Sequence, residues 1–140
     1  MTKQKTITIQ AVINKPAESV WKLYTEAGHI RKWNNASEDW HTPKAGNDLR
    51  VGGKFLSRME AKDGSAGFNF EGIYNEVKIN ELIKYTMSDG RKVEVVFADT
   101  EEKTKVSVRF DTELENPIKM QKAGWQAILN NFKKYAEENG

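Results

Sequence analysis

The sequence contains no cysteine. That absence excludes disulfides, thiolate metal sites and a cysteine nucleophile together. Its two histidines, His29 and His41, are too few for a histidine-based metal cluster. No apolar stretch approaches the roughly 18 residues of a membrane-spanning helix, so membrane insertion is not expected. The start, Met1-Thr2-Lys3-Gln4-Lys5, runs into an alternating segment and lacks the continuous apolar stretch of a secretory signal. An excess of one charge is missing as well: 22 Lys and Arg stand against 20 Asp and Glu, a formal net charge of +2. A nucleic-acid binder needs a net basic face for its phosphate contacts, so nucleic acid is not an expected partner. There is no nucleophile elbow, no phosphate-binding glycine loop and no histidine pair at ligand spacing. No metal, cofactor or catalytic constellation is therefore expected. Nor does any repeat, low-complexity run or linker break the chain. Its 140 residues have the length of one domain, residues 1–140, and can bury roughly 68% of the surface the unfolded form exposes. A reduced, soluble, cytoplasmic protein is the expectation.

What the chain does have is aromatic side chains: four Trp, six Phe and four Tyr in a sequence whose mean hydropathy is only −0.72. Their spacing is informative. Thr6 to Ile13 places Ile7, Ile9, Ala11 and Ile13 on one face at period two, a strand that stops at Asn14-Lys15-Pro16. Pro16 at a first helical turn forfeits no hydrogen bond, and Glu18 suits the positive end of the helix dipole. A helix to about Ala27 follows, with Val20, Leu23, Tyr24 and Ala27 on one stripe and Gly28 as its terminator. A second short helix is expected over His29–Trp33. From Asp48 the period returns to two. Lys54–Lys62 presents Phe55, Ser57 and Met59 on one face, and Asp63-Gly64-Ser65 turns the chain. Gly67–Val77 alternates Phe68, Phe70, Gly72 and Tyr74 against Asn69, Glu71, Ile73 and Asn75. Leu82–Met87 turns at Asp89-Gly90 into Lys92–Asp99, and Glu101-Glu102-Lys103 leads into Thr104–Leu114. These four or five strands have spacers too short for parallel crossovers, so they form an antiparallel meander.

Beyond it Asn116 is a good N-cap and Pro117 occupies a first helical position. The helix runs to about Glu137, with Ile118, Trp125, Ile128, Leu129, Phe132 and Ala136 on one wide apolar stripe. Lys119, Lys122, Gln126, Lys133 and Lys134 form the solvated face. A helix of about 20 residues spans roughly 30 Å and needs an apolar surface of that length. The meander offers the only one. The result is an α+β layout: a curved antiparallel β-sheet wrapped around a long C-terminal α-helix, with two short helices after the first strand.

Several segments carry a resemblance across Ile7 to Ala136. They are Pro16-Ala17-Glu18-Ser19-Val20-Trp21, the Trp33 region, Asp48-Leu49-Arg50-Val51-Gly52-Gly53-Lys54-Phe55, Phe70-Glu71-Gly72-Ile73-Tyr74-Asn75-Glu76-Val77, and Gly124-Trp125-Gln126-Ala127-Ile128-Leu129-Asn130-Asn131-Phe132. In this order and at these intervals the chain resembles the SRPBCC or START-like (birch-pollen-allergen-like) superfamily. Within it, the chain is similar to the activator-of-heat-shock-protein-90-ATPase homologue family. The resemblance implies a helix-grip fold with a cavity between sheet and long helix, which in the wider superfamily holds lipids, sterols, polyketides or other apolar molecules. The family name implies chaperone regulation. It derives from larger proteins with an additional amino-terminal domain, which this sequence does not show.

The candidate cavity-lining residues are Trp33, Trp40, His41, Phe55, Ser57, Met59, Phe68, Phe70, Tyr74, Met87, Phe97, Trp125 and Leu129. Pockets are mostly apolar with a few placed polar groups, and this set has that composition. Its rings equally suit a filled core. Trp33 and Trp40 stand in an irregular Asn/Ser/Glu-rich stretch, where a large ring needs a reason to be. His41, in an expected loop with Thr42 and Pro43, is either an exposed loop histidine or a hydrogen-bond donor, pH-sensitive gate or general base. Ser57 is either a satisfied core hydroxyl or one presented to a lumen. Gly124, costly within a helix, marks either close packing against Gly72 or another strand, or room beside Trp125. Glu71 is expected to face solvent, and Gly52-Gly53 to bend the sheet.

The leading functional expectation is a ligand-binding protein holding an apolar or aromatic, lipid-like or polyketide-like small molecule between sheet and helix. The alternative is a co-chaperone-type interaction module that binds a heat-shock chaperone. A polyketide-cyclase-like enzyme is third, since only His41, Ser57 and scattered tyrosines offer polar groups. A monomer or weak homodimer is expected.

Overall fold

The computed structural model describes residues 6–35, 37–100, 102–113 and 116–139. The described elements run β1 (Thr6–Ile13), α1 (Ala17–Thr25), α2 (Ala27–Trp33), β2 (Trp40–Asn47), β3 (Lys54–Ala61), β4 (Gly67–Lys78), β5 (Leu82–Met87), β6 (Lys92–Thr100), β7 (Lys103–Asp111) and α3 (Ile118–Asn139). The strands form one antiparallel sheet of seven in the order β1-β7-β6-β5-β4-β3-β2. Strands β2 to β7 are the meander, and β1 returns to pair with β7 from Thr6↔Asp111 to Ile13↔Thr104. The sequence-first and sequence-second strands therefore lie on opposite edges, and α1 and α2 carry the chain between them. This is the helix-grip arrangement, with α3 held against the inner face of the curved sheet.

Alternation sets the faces as the sequence predicts. In β3, Phe55, Ser57, Met59 and Ala61 are buried; in β6, Val93, Val95 and Phe97; in β7, Val106, Val108 and Phe110. The β3–β4 and β5–β6 hairpins turn at Gly64 and Gly90, whose φ values are +78° and +92°. Gly52 (φ +83°) and Gly53 bend the chain between β2 and β3, and their backbone pairs with Tyr74 of β4. Glu101 lies outside the described residues; in the same turn Glu102 has φ +67°. Strand β7 ends at Asp111, and the expected end at Leu114 lies outside the described residues.

Helix α3 buries Leu129, Phe132 and Ala136. Phe132 is fully buried, its ring 4.9 Å from Trp33 and 5.0 Å from Tyr24. Polar contacts fix the helix lengthwise. Asn131 donates to the Trp33 carbonyl at 2.7 Å, Gln126 donates to the Gln10 carbonyl at 3.2 Å, and the Asn14 N–H donates to the Glu137 carboxylate at 2.9 Å. At its start Gln121 accepts from the Glu113 N–H and donates to the carbonyls of Glu113 and Asn116. That side chain ties the preceding loop to the first turn of the helix.

Four expectations need correction. Trp40 to Asn47 is a strand, not an irregular loop: β2 is the edge strand beyond β3, and its register shifts between His41 and Lys44. Pro43 falls within that irregularity on an edge, where a missing N–H is tolerated. The first helix ends at Thr25 rather than Ala27, because Glu26 is extended (φ −77°, ψ 130°), and Gly28 lies inside α2 instead of terminating α1. Helix α3 begins at Ile118, which is 40% exposed and not part of the buried stripe. A Cβ at Gly124 would meet nothing within 4 Å, so this glycine is not there for close packing. The close approach is at Gly72, where a Cβ would stand 2.5 Å from the Thr86 carbonyl oxygen and 2.9 Å from the Phe55 ring.

Candidate functional site

A cavity of about 450 Å³ lies between the inner face of the sheet and α3, with α1 and α2 closing one side. This falls within the range of small-molecule sites. Its wall is aromatic because β3, β4 and β5 each place large rings at alternate positions. Phe55 lies over Gly72, with ring centroids 4.8 Å from Tyr85, 5.3 Å from Tyr74 and 5.5 Å from Phe70. Trp125 of α3 faces Phe70 at 6.0 Å and stacks on Phe110 at 4.2 Å, with planes 8° apart. Ile9, Ile83, Val108, Ile128 and Leu129 complete the apolar lining.

The structure brings Trp33, Phe55, Ser57, Met59, Phe68, Phe70, Tyr74, Met87, Trp125 and Leu129 together around this space. Trp40, His41 and Phe97 stand outside it. Phe97 is buried under α1, its ring 5.2 Å from Trp21 and 5.5 Å from Tyr24, so it fills the core where the helix sits closest to the sheet. Trp40 packs at 5.9 Å on Phe68 near the β3–β4 hairpin. His41 is exposed on the outer side of the edge strand, its Nε2 4.0 Å from a Glu60 oxygen. It cannot gate the cavity or act as a base within it. Glu71 is exposed, as its alternation with Phe70 implies, and its residue borders the cavity rim.

Residues that the sequence reading did not nominate supply much of the polar lining. Tyr24, Asn34 and Tyr85 line the cavity with Ser57, Thr25 and Gln121. Tyr85 had a usable signal, since it alternates with Ile83 and Met87 on β5. The Tyr74 hydroxyl donates to Asn47 Oδ1, Asn47 Nδ2 donates to the Thr25 carbonyl, and the Thr25 hydroxyl donates to the Trp21 carbonyl at 2.8 Å. This chain links β4 to β2 and the end of α1. Burial pushes the phenols of Tyr24, Tyr74 and Tyr85 well above the ordinary tyrosine value, and their mutual repulsion raises Tyr24 and Tyr85 further. All three stay protonated donors at neutral pH. Charged residues gather around the opening: Glu71, Asp89, Glu113 and Arg91, with Arg91 Nε 2.7 Å from Asp89 Oδ2. Among the described residues no three His, Cys, Asp or Glu side chains come together to hold a metal ion. No helix among them is long and apolar enough to cross a membrane.

Comparison with known proteins agrees with the architecture. Residues 14–137 match the family described as Activator of Hsp90 ATPase homolog 1-like protein. The chain is similar to an AHSA1-like protein from Aeromonas hydrophila, with 44% identity, 96% of this chain and 93% of that one covered, and a TM-score of 0.90. It is also similar to the protein Chr148 from Cytophaga hutchinsonii, with 50% identity, 96% and 93% coverage and a TM-score of 0.83. Protein CV1439 from Chromobacterium violaceum, 23% identical with 95% and 98% coverage, shares the fold at a TM-score of 0.85. No curated protein matches the chain.

Proposed function

Because the chain belongs to the Activator of Hsp90 ATPase homolog 1-like family, we propose that it is a co-chaperone-type interaction module acting on a chaperone of the Hsp90 class. The observation that carries this reading is the family match over residues 14–137, nearly the whole described fold. It weighs more than the aromatic surplus, from which a dedicated small-molecule carrier was the first expectation. Exposed apolar side chains at the β3–β4 hairpin and the start of α3, Phe68, Ile118 and Met120, supply candidate contacts. On this reading the protein works in the cytoplasm as a monomer or weak homodimer. Sedimentation velocity of the purified protein with and without a purified Hsp90-class chaperone tests it. A faster co-sedimenting species is expected, and independent sedimentation at micromolar concentrations of both proteins removes the reading.

The cavity favours a second reading: the fold holds an apolar or aromatic small molecule between sheet and α3. Its volume and ring-lined wall support this, and Trp125, a wall residue with partial exposure, is a reporter for it. Quenching of Trp fluorescence by an apolar aromatic titrant is expected, and its loss in the cavity-filling variant Leu129→Trp checks where the titrant binds. The two readings are compatible, since a cavity occupant can alter the surface around Phe68 and the start of α3. A catalytic role has little support, because His41 is outside the cavity and its polar lining consists mainly of phenols, amides and hydroxyls.

A further inference from the structure

The polar groups of the cavity divide into two sets. Tyr74, Thr25 and Gln121 are committed to partners within the fold. The Tyr24 and Tyr85 hydroxyls, the Asn34 carboxamide and the Ser57 hydroxyl make no side-chain hydrogen bond with any described residue. Asn34, Ser57 and Tyr85 are nevertheless only 8%, 4% and 8% exposed. No described buried side-chain nitrogen or oxygen is both sealed off and unpartnered, so these groups open onto the cavity. A donor left unpaired in apolar surroundings is costly, and sites built around such donors reject analogues that lack the matching group.

Position and charge narrow the ligand. Tyr85 is ringed by Phe55, Phe70 and Tyr74 at centroid distances of 4.8, 6.2 and 6.3 Å, so this phenol stands in an aromatic slot. Tyr24 stacks on Trp33 at 4.9 Å from the helical side. Three carboxylates, Glu71, Asp89 and Glu113, border the space against one guanidinium, Arg91, which Asp89 already engages. An anionic ligand meets net repulsion there. Of a cation's would-be partners, Asp89 is engaged by Arg91, Glu113 accepts from the Asn116 N–H at 2.6 Å, and Glu71 is exposed to solvent at the rim, where its attraction is screened.

Building on the small-molecule reading above, we propose that the cavity selects an uncharged, flat, apolar molecule bearing a carbonyl or phenolic oxygen, which the Tyr24 and Tyr85 hydroxyls recognise directly. Asn34 and Ser57 offer a second polar contact on the α2 and β3 sides.

Calorimetric titration with four naphthalenes substituted at the same ring position tests this: naphthol, methylnaphthalene, naphthoate and naphthylmethylamine. Naphthol should bind roughly three- to tenfold tighter than methylnaphthalene, as one added hydrogen bond implies. The two charged compounds should bind more weakly than naphthol. In Tyr24→Phe/Tyr85→Phe the naphthol advantage should disappear while methylnaphthalene affinity holds. Neither hydroxyl bonds within the fold, so this variant should keep its thermal midpoint, and the single Tyr85→Phe variant should show part of the same loss. Equal binding of naphthol and methylnaphthalene, an advantage that survives the double variant, or tightest binding by either charged compound overturns the proposal and leaves the cavity reading standing. No binding of either neutral compound overturns both.

Discussion

Two glycine-to-alanine substitutions should move stability in opposite directions, and the structure gives both signs. At Gly72 the new methyl would lie 2.5 Å from the Thr86 carbonyl oxygen and 2.9 and 3.0 Å from two Phe55 ring atoms. The nearest neighbour is a backbone atom and cannot retreat easily. Thr86 lies in the β4–β5 ladder opposite Ile73, and the Phe55 ring, packed on Phe70, Tyr74 and Tyr85, can give way only on its cavity side. Overpacking of this kind costs about 1–3 kcal/mol. Restricting the unfolded chain returns about 0.4–1 kcal/mol, because Gly72 has no positive φ to forbid alanine. The net expectation for Gly72→Ala is a loss of about 1–2 kcal/mol, or several degrees in Tm for a chain of this size. At Gly124 the methyl would meet nothing within 4 Å inside a helix, so Gly124→Ala should gain about 1 kcal/mol. Urea unfolding followed by near-ultraviolet circular dichroism, with the m-value unchanged, measures both. A Gly72→Ala protein as stable as the parent, or a destabilised Gly124→Ala protein, would refute the packing argument.

Phe132→Ala should cost about 3–5 kcal/mol by the same assay, since its fully buried ring joins α3 to Trp33 and Tyr24. Glu137 is held below the ordinary carboxylate value by its hydrogen bond from Lys133 and by the Asn14 N–H. Its contribution is therefore complete above the unfolded value of 4.5 and is lost as pH falls through the lowered folded value; Glu137→Gln should remove that part of the acid dependence of the urea midpoint. Tyr24, Tyr74 and Tyr85 are raised by burial, so the sign reverses: their contribution is complete below the unfolded value of 10.0 and declines at higher pH. Phenolate absorbance for these three should rise together with alkaline unfolding; ionisation of all three in a protein that retains its native circular dichroism contradicts their burial.

The strands of the meander were legible because each alternates cleanly and each turn carries a glycine or a polar cluster. Edge strand β2 was not, since Thr42-Pro43-Lys44-Ala45-Gly46 breaks the alternation and its pairing is irregular there. What holds it is tertiary: Thr42 is 3% exposed and donates to the Asn34 carbonyl at 2.6 Å. The break between α1 and α2 falls at Glu26, a residue with no local helix-stop signal, while Gly28 offered a stronger one in the wrong place. For the cavity, period two identifies the inner face but not the depth of each residue along it. Phe97 and Phe55 share that face; one meets α1 and the other borders the cavity, and only the path of the helices decides which. Tyr24 read as core for the same reason, because its helical stripe says nothing about where its hydroxyl ends.

The chaperone reading is tested most directly by the steady-state ATPase rate of a purified Hsp90-class chaperone as this protein is titrated in. A saturable rise in rate, retained in Tyr24→Phe/Tyr85→Phe, is the expected result. A rate unchanged up to saturating concentrations of the protein contradicts it.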